Sequence, residues 1–151
     1  MDAQTCARVA RVELGTLNSW VRRGLIRGMT VGTQGRRRNI DPDTAIRIGI
    51  FAELFRFGIP AVEAAIFADL DLNPHAKLLV VRRPNDEALR DAAYASLAVT
   101  LESYDQISEW VRSRFPDRPP TILAVINIEV LAERMRRAEE EQWSQEGKAD
   151  G

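Results

Sequence analysis

"GTLNSWVRRGLIRGMTVGTQGRRRNI", residues 15–40, contains six arginines, one tryptophan and no acidic residue. So much cationic charge in so short a stretch calls for an anion. From about Glu13 the spacing predicts a helix with Leu14, Leu17 and Val21 on one face. The opposite face carries Thr16, Ser19 and Arg23, flanked by Asn18 and Arg22. Hydroxyl, amide and guanidinium groups of this kind read base edges in a major groove. An ordinary solvated helix would look the same if the segment stood alone. Gly24 closes the helix as a left-handed cap, and "LIRGMTV" and "RRRNI" then flank the turn-rich "GTQG". That pattern predicts a two-stranded wing over 25–40, with Arg27 near its base. Arg36, Arg37 and Arg38 cannot all face a core, and phosphate supplies a matching density of negative charge, although a plain solvated loop would also hold them.

Upstream, Cys6, Val9 and Ala10 predict a short helix over 3–11. Downstream, Asp41 is a favoured N-cap, Pro42 suits the first helical position and Asp43 complements the helix dipole. Ile46, Ile50, Leu54 and Phe57 line one face of that helix down to Gly58. A further helix opens at Pro60, with Val62, Ala65, Ile66 and Leu70 expected as its buried stripe. Helix, helix, hairpin, helix, helix describes a winged helix-turn-helix.

The runs "ARVARVELGTLNSWVRRGLI" and "GRRRNIDPDTAIRIGIFAELFRFGIP" resemble the DNA-binding domain of MerR-type transcriptional regulators and their excisionase-like relatives. The resemblance covers about residues 5–70. It rests on Leu17, Gly24-Leu25-Ile26, Arg38, Asp41, Leu54 and Phe57-Gly58-Ile59. It implies that Trp20 takes the place of an aromatic residue packed against the wing and the sugar-phosphate backbone. Asn18 stands where the family usually has an arginine, Ser19 replaces a second aromatic, and Ile40 stands where the wing normally ends in tyrosine. The family's metal sensors place cysteines beyond this domain, where the present chain has none.

Past Leu70, "DLNPHAK" reads as a linker. "KLLVV" and "TILAVINI" are short apolar runs suited to buried strands, and "SLAVTL" alternates, with Leu97, Val99 and Leu101 on one side. Ser103 and Gln106 form a capping-box pair before a helix that turns Tyr104, Ile107, Trp110 and Val111 inward. Strand, helix, strand predicts a crossover unit, and residues 86–94 add a helical turn or two. The last helix starts near Asn127 and runs toward Glu146, with Leu131, Met135 and Ala138 as a narrow apolar stripe. Its first half is expected on the sheet. Its second half is expected to project, either with Trp143 as a dimer anchor or as a frayed tail. The expected fold is therefore α+β: a winged domain over 1–70 and a small α/β dimerisation or effector module over 71–151.

Charge separates the same two parts. Residues 1–60 hold ten arginines against five acids, a balance of +5, whereas residues 61–151 hold eleven basic residues against seventeen acids, a balance of −6. A basic module beside an acidic one suits a polyanion and a different partner. Nineteen of the 21 basic residues are arginine, a bias that a GC-rich bacterial genome produces. The single cysteine, Cys6, precludes a disulfide framework within one chain and reads as a small core residue. His75, beside Pro74, reads as a surface histidine, so no metal site and no cofactor are expected. "GMTVGTQGRR" lacks the ending of a phosphate-binding P-loop, and no catalytic constellation emerges, so an enzyme is not expected. No apolar run approaches a membrane span, and the expected location is cytoplasmic and nucleoid-associated.

The leading expectation is a sequence-specific transcriptional regulator that binds double-stranded DNA as a homodimer. Its recognition helix would be 13–23 and its phosphate-holding wing 25–40. The DNA-contacting set would be Thr16, Asn18, Ser19, Trp20, Arg22, Arg23, Arg27, Arg36, Arg37 and Arg38. A protein or small-molecule effector is compatible with the second module. Two other classes fit the same residues: an excisionase-like or packaging protein that shapes DNA, and a protein-interaction adaptor.

Overall fold

Asp2 opens the first helix by accepting a hydrogen bond from the Thr5 backbone N–H at 2.7 Å, and α1 runs from Ala3 to Val9. The computed structural model describes residues 1–29, 39–70, 75–82, 96–116 and 122–149. Among these, six helices and one three-stranded antiparallel sheet give an α+β chain. It divides into two units: Met1–Leu70 together with Val130–Gly151, and Asp71–Glu129.

The first unit is helical. α2 (Leu14–Arg22) follows α1, then α3 (Pro42–Arg56) and α4 (Ala61–Ala68). Asp41 caps α3 twice over, accepting from the Thr44 N–H at 2.9 Å and from its hydroxyl at 2.7 Å. Those two bonds hold the Asp41 carboxyl below its ordinary pKa. α3 is the central helix. Ile50 and Leu54 of its expected face are buried, but so are Ala45, Ile48, Phe51 and Ala52, while Phe57 is about half exposed. A helix apolar nearly all round is one that neighbours cover on several sides.

Three consecutive helices end the same way. After α2, Gly24 takes φ +69° and the Leu25 N–H reaches back to the Trp20 carbonyl at 3.0 Å. After α3, Gly58 takes φ +81° and the Ile59 N–H bonds the Leu54 carbonyl at 3.1 Å. After α1 the left-handed position belongs to Arg11, φ 56°, with the Val12 N–H on the Ala7 carbonyl at 3.0 Å. Each is a Schellman closure, and only the first lacks glycine. Two guanidiniums reinforce that end of α1: Arg56 donates to the Ala10 carbonyl at 2.9 Å and Arg134 to the Val9 carbonyl at 2.8 Å. Both arginines also face Glu53.

α4 corrects the sequence expectation. Glu63, Ala64, Phe67 and Ala68 are buried, whereas Val62 (59% exposed), Ile66 and Leu70 of the expected core stripe lie outward. The helix is apolar on every side but for Glu63, so periodicity offers two equivalent stripes and packing against α3 selects one.

The last helix, α6 (Ile128–Ala149), is also placed differently from expectation. Leu131, Met135 and Ala138 are buried as its stripe implies, but the helix packs within the amino-terminal unit. A Cβ on Gly49 of α3 would lie 2.8 and 2.9 Å from the Leu131 methyls and 2.9 Å from the Met135 methyl, so glycine there permits the close approach of α6. The Met1 amino group bonds Glu139 at 2.9 Å, and the Asp2 N–H donates to Gln142 at 3.0 Å. Met1 and Ile40 exchange two further hydrogen bonds, next to a bridge between Asp2 and Asn39.

The second unit is a sheet with one helix. β1 (Lys77–Arg82) lies between β2 (Ser96–Leu101) and β3 (Ile122–Asn127), antiparallel to both. The crossover through α5 (Asp105–Arg114) therefore joins two parallel strands with β1 between them, not the neighbouring strands that strand-helix-strand order suggested. Leu78 and Val80 on β1 share a face with their β3 partners Ile126 and Ala124, and all four are buried. The apolar run over residues 78–81 suits this central position. α5 starts later than the capping pair implied: Gln106 accepts from the Glu102 N–H at 3.0 Å, and no side chain caps the helix. Ile107, Trp110 and Val111 are half-buried, but Tyr104 is exposed. The proposed helical turn over 86–94 lies outside the described residues.

Candidate nucleic-acid interface

α2 is oriented by the side chains it buries. Leu17, Trp20 and Val21 occupy positions i, i+3 and i+4 and form its inner face. Trp20, 4% exposed, meets the Phe51 ring edge-on with centroids 4.5 Å apart and the Phe55 ring at 5.7 Å. The tryptophan expected near a sugar-phosphate backbone is a core residue that joins α2 to α3. Sequence order hid its partners because they lie about thirty residues downstream on another helix.

That anchoring turns the polar side outward. Arg22 and Arg23 are exposed, and Thr16, Asn18 and Ser19 are partly accessible. Leu14, expected on the apolar face, is 40% exposed at the start of the helix. Among the described residues neither Arg22 nor Arg23 has an acidic partner within ion-pair distance. Gly15 shares this side, and among the described residues no atom outside its own helix backbone and chain neighbours lies within 4 Å of where a Cβ would stand.

Beyond Gly24 the described chain turns at residues 26–28 and resumes at Asn39. Arg36, Arg37 and Arg38, together with the hairpin expected around them, lie outside the described residues. Arg27 is exposed but not unpartnered: its Nη1 lies 2.7 Å from Asp69 Oδ2, which raises the guanidinium pKa through the hydrogen bond and the adjacent charge. Arg47 meets the other oxygen of Asp69 at 3.0 Å. Arg47 was not among the residues singled out from sequence, because α3 reads as a core helix and a lone arginine on it resembles any solvated position.

Six arginines of the first unit thus divide by task. Arg56 and Arg134 close α1, Arg27 and Arg47 share Asp69, and Arg22 and Arg23 at the end of α2 have no acidic partner among the described residues. Cys6 is buried among the helices, and burial pushes its thiol pKa up to about 12, as for an inert core thiol. His75 is exposed, with Nδ1 3.6 Å from Glu129 Oε1. Among the described residues no helix is long and apolar enough to cross a membrane. No protein-family model matches the chain, and no curated protein sequence matches it.

Proposed function

We propose that the chain is a sequence-specific DNA-binding transcriptional regulator of the MerR-like, winged helix-turn-helix kind, with α2 entering the major groove. The observation that carries this function is the two-sidedness of α2. Leu17, Trp20 and Val21 hold it to the core, leaving Thr16, Ser19, Arg22 and Arg23 accessible with no apolar group between them. Such a face offers donors and acceptors for base edges, and the arginines add attraction to phosphate. Arg36, Arg37 and Arg38 supply further phosphate contacts in this proposal. A dimer would set two such helices on successive half-sites, with Trp143, 70% exposed just beyond the Gln142 tether of α6, as its anchor.

The test is duplex binding across a salt series. If each monomer holds four or five phosphates, log K falls with log salt at a slope of about −4, at roughly 0.9 per contact. A flat response removes the proposal. Sequencing fragments retained from the protein's own genome then separates promoters from attachment or packaging sites, and so a regulator from an excisionase-like architectural protein.

A protein-interaction adaptor is the second reading, favoured by the exposed apolar residues Val62 and Ile66 on α4 and Leu70 just beyond its end. Replacing Arg36, Arg37 and Arg38 together by alanine decides between them, since undiminished duplex binding would leave the adaptor.

A further inference from the structure

We propose that Asp69 is an internal stand-in for a phosphate: it occupies Arg27 and Arg47 with its own two oxygens and so weakens the chain's hold on duplex DNA. This rests on the DNA-binding function proposed above and identifies a group that limits it.

The geometry is that of an occupied anion seat. Arg27, from the turn after α2, and Arg47, from α3, converge on a single carboxylate at 2.7 and 3.0 Å, one on each oxygen. Two guanidiniums sharing two oxygens is also how arginines grip a phosphate. Each guanidinium carries five N–H donors, and among the described residues each commits one nitrogen to Asp69, leaving a fork for a second acceptor. Arg27 has 77% of its side chain open to solvent, Arg47 has 39% and Asp69 has 25%, so an incoming phosphate meets the arginines before the carboxylate.

Asp69 also stands at an unfavourable place for an acid. It is the C-cap of α4, where the partial negative charge of a helix end repels a carboxylate. The two arginines offset that repulsion. Exposed ion pairs of this kind contribute little to stability and are weakened by salt, so a phosphate with counterions to release can displace the carboxylate. The three side chains together carry a net charge of +1, and without the carboxylate charge they would carry +2.

The experiment measures binding of the full chain to a labelled random-sequence duplex over a salt series, with a melting curve for every variant. Asp69→Asn is expected to raise affinity several-fold at low salt and to steepen the slope of log K against log salt by about 0.9, one phosphate equivalent. Arg47→Gln is expected to make the slope shallower by about the same amount. Glu141→Gln, which removes an equal charge from the exposed side of α6, is expected to leave the slope unchanged. A slope for Asp69→Asn no steeper than for Glu141→Gln overturns the proposal. If Asp69→Asn fails to fold, an unchanged slope for Arg47→Gln overturns it equally. A flat response in the parent protein takes the DNA-binding function down with it, whereas a parent slope near −4 with no change in Asp69→Asn removes only the role of Asp69.

Discussion

α2 and α4 are both short helices in the amino-terminal unit, yet they present opposite kinds of surface. α2 buries Leu17, Trp20 and Val21 and leaves hydroxyls, an amide and arginines outside. α4 buries Glu63, Ala64, Phe67 and Ala68 and leaves Val62 and Ile66 outside. α2 has one apolar stripe, so its orientation follows from its sequence. α4 is apolar all round, so its sequence allows either stripe to face inward. A helix surface is therefore informative about function only when the rest of the helix leaves no choice about what is buried.

The comparison breaks most readily at the inner faces. Trp20→Ala and Phe67→Ala each remove an aromatic anchor from the same core, and each should cost about 3–5 kcal/mol of unfolding free energy in denaturant titration. A loss below about 1 kcal/mol for Trp20→Ala would mean that α2 is not anchored through its tryptophan.

The outer faces should respond differently. Arg23→Ala is expected to leave the melting temperature unchanged but to reduce base preference by about 1–3 kcal/mol at one position of a binding site. Val62→Ser is expected to shift stability by no more than about 0.5 kcal/mol and to leave that preference intact. Equal effects of the two on duplex binding would erase the contrast between the helices.

The smallest expected effect concerns how helices end. Gly24 and Gly58 take the left-handed conformation without steric cost, whereas Arg11 takes it with a Cβ. Arg11→Gly should stabilise the fold by about 1 kcal/mol, and Gly24→Ala should destabilise it by a similar amount, both read from denaturation midpoints. If Arg11→Gly instead destabilises the fold, the side chain of Arg11 contributes more than its backbone conformation costs.

Much of the local structure was legible in the sequence. Asp41, Pro42 and Asp43 mark the start of α3 because capping uses only neighbouring atoms, and Gly24 marks the end of α2 for the same reason. The stripe Leu131, Met135 and Ala138 is the buried face of α6. In the candidate interface, the accessible side of α2 follows from its period. The place of Trp20 does not, because Phe51 and Phe55 become its neighbours only after α2 and α3 fold together. Asp69 likewise lies 42 residues from Arg27 and 22 from Arg47, so the three carry no local pattern.

The sequence by itself determined the end of α2 at Gly24, the start of α3 at Asp41, the apolar character of the strands and the concentration of arginine near α2, since each depends on residues a few positions apart. Tertiary structure alone decided which side of α4 is buried, that β1 lies between β2 and β3, and that α6 returns to Gly49. Burial is a property of the whole set of packed surfaces, so equal apolar stripes and equal strands become distinct only when they compete for the same core.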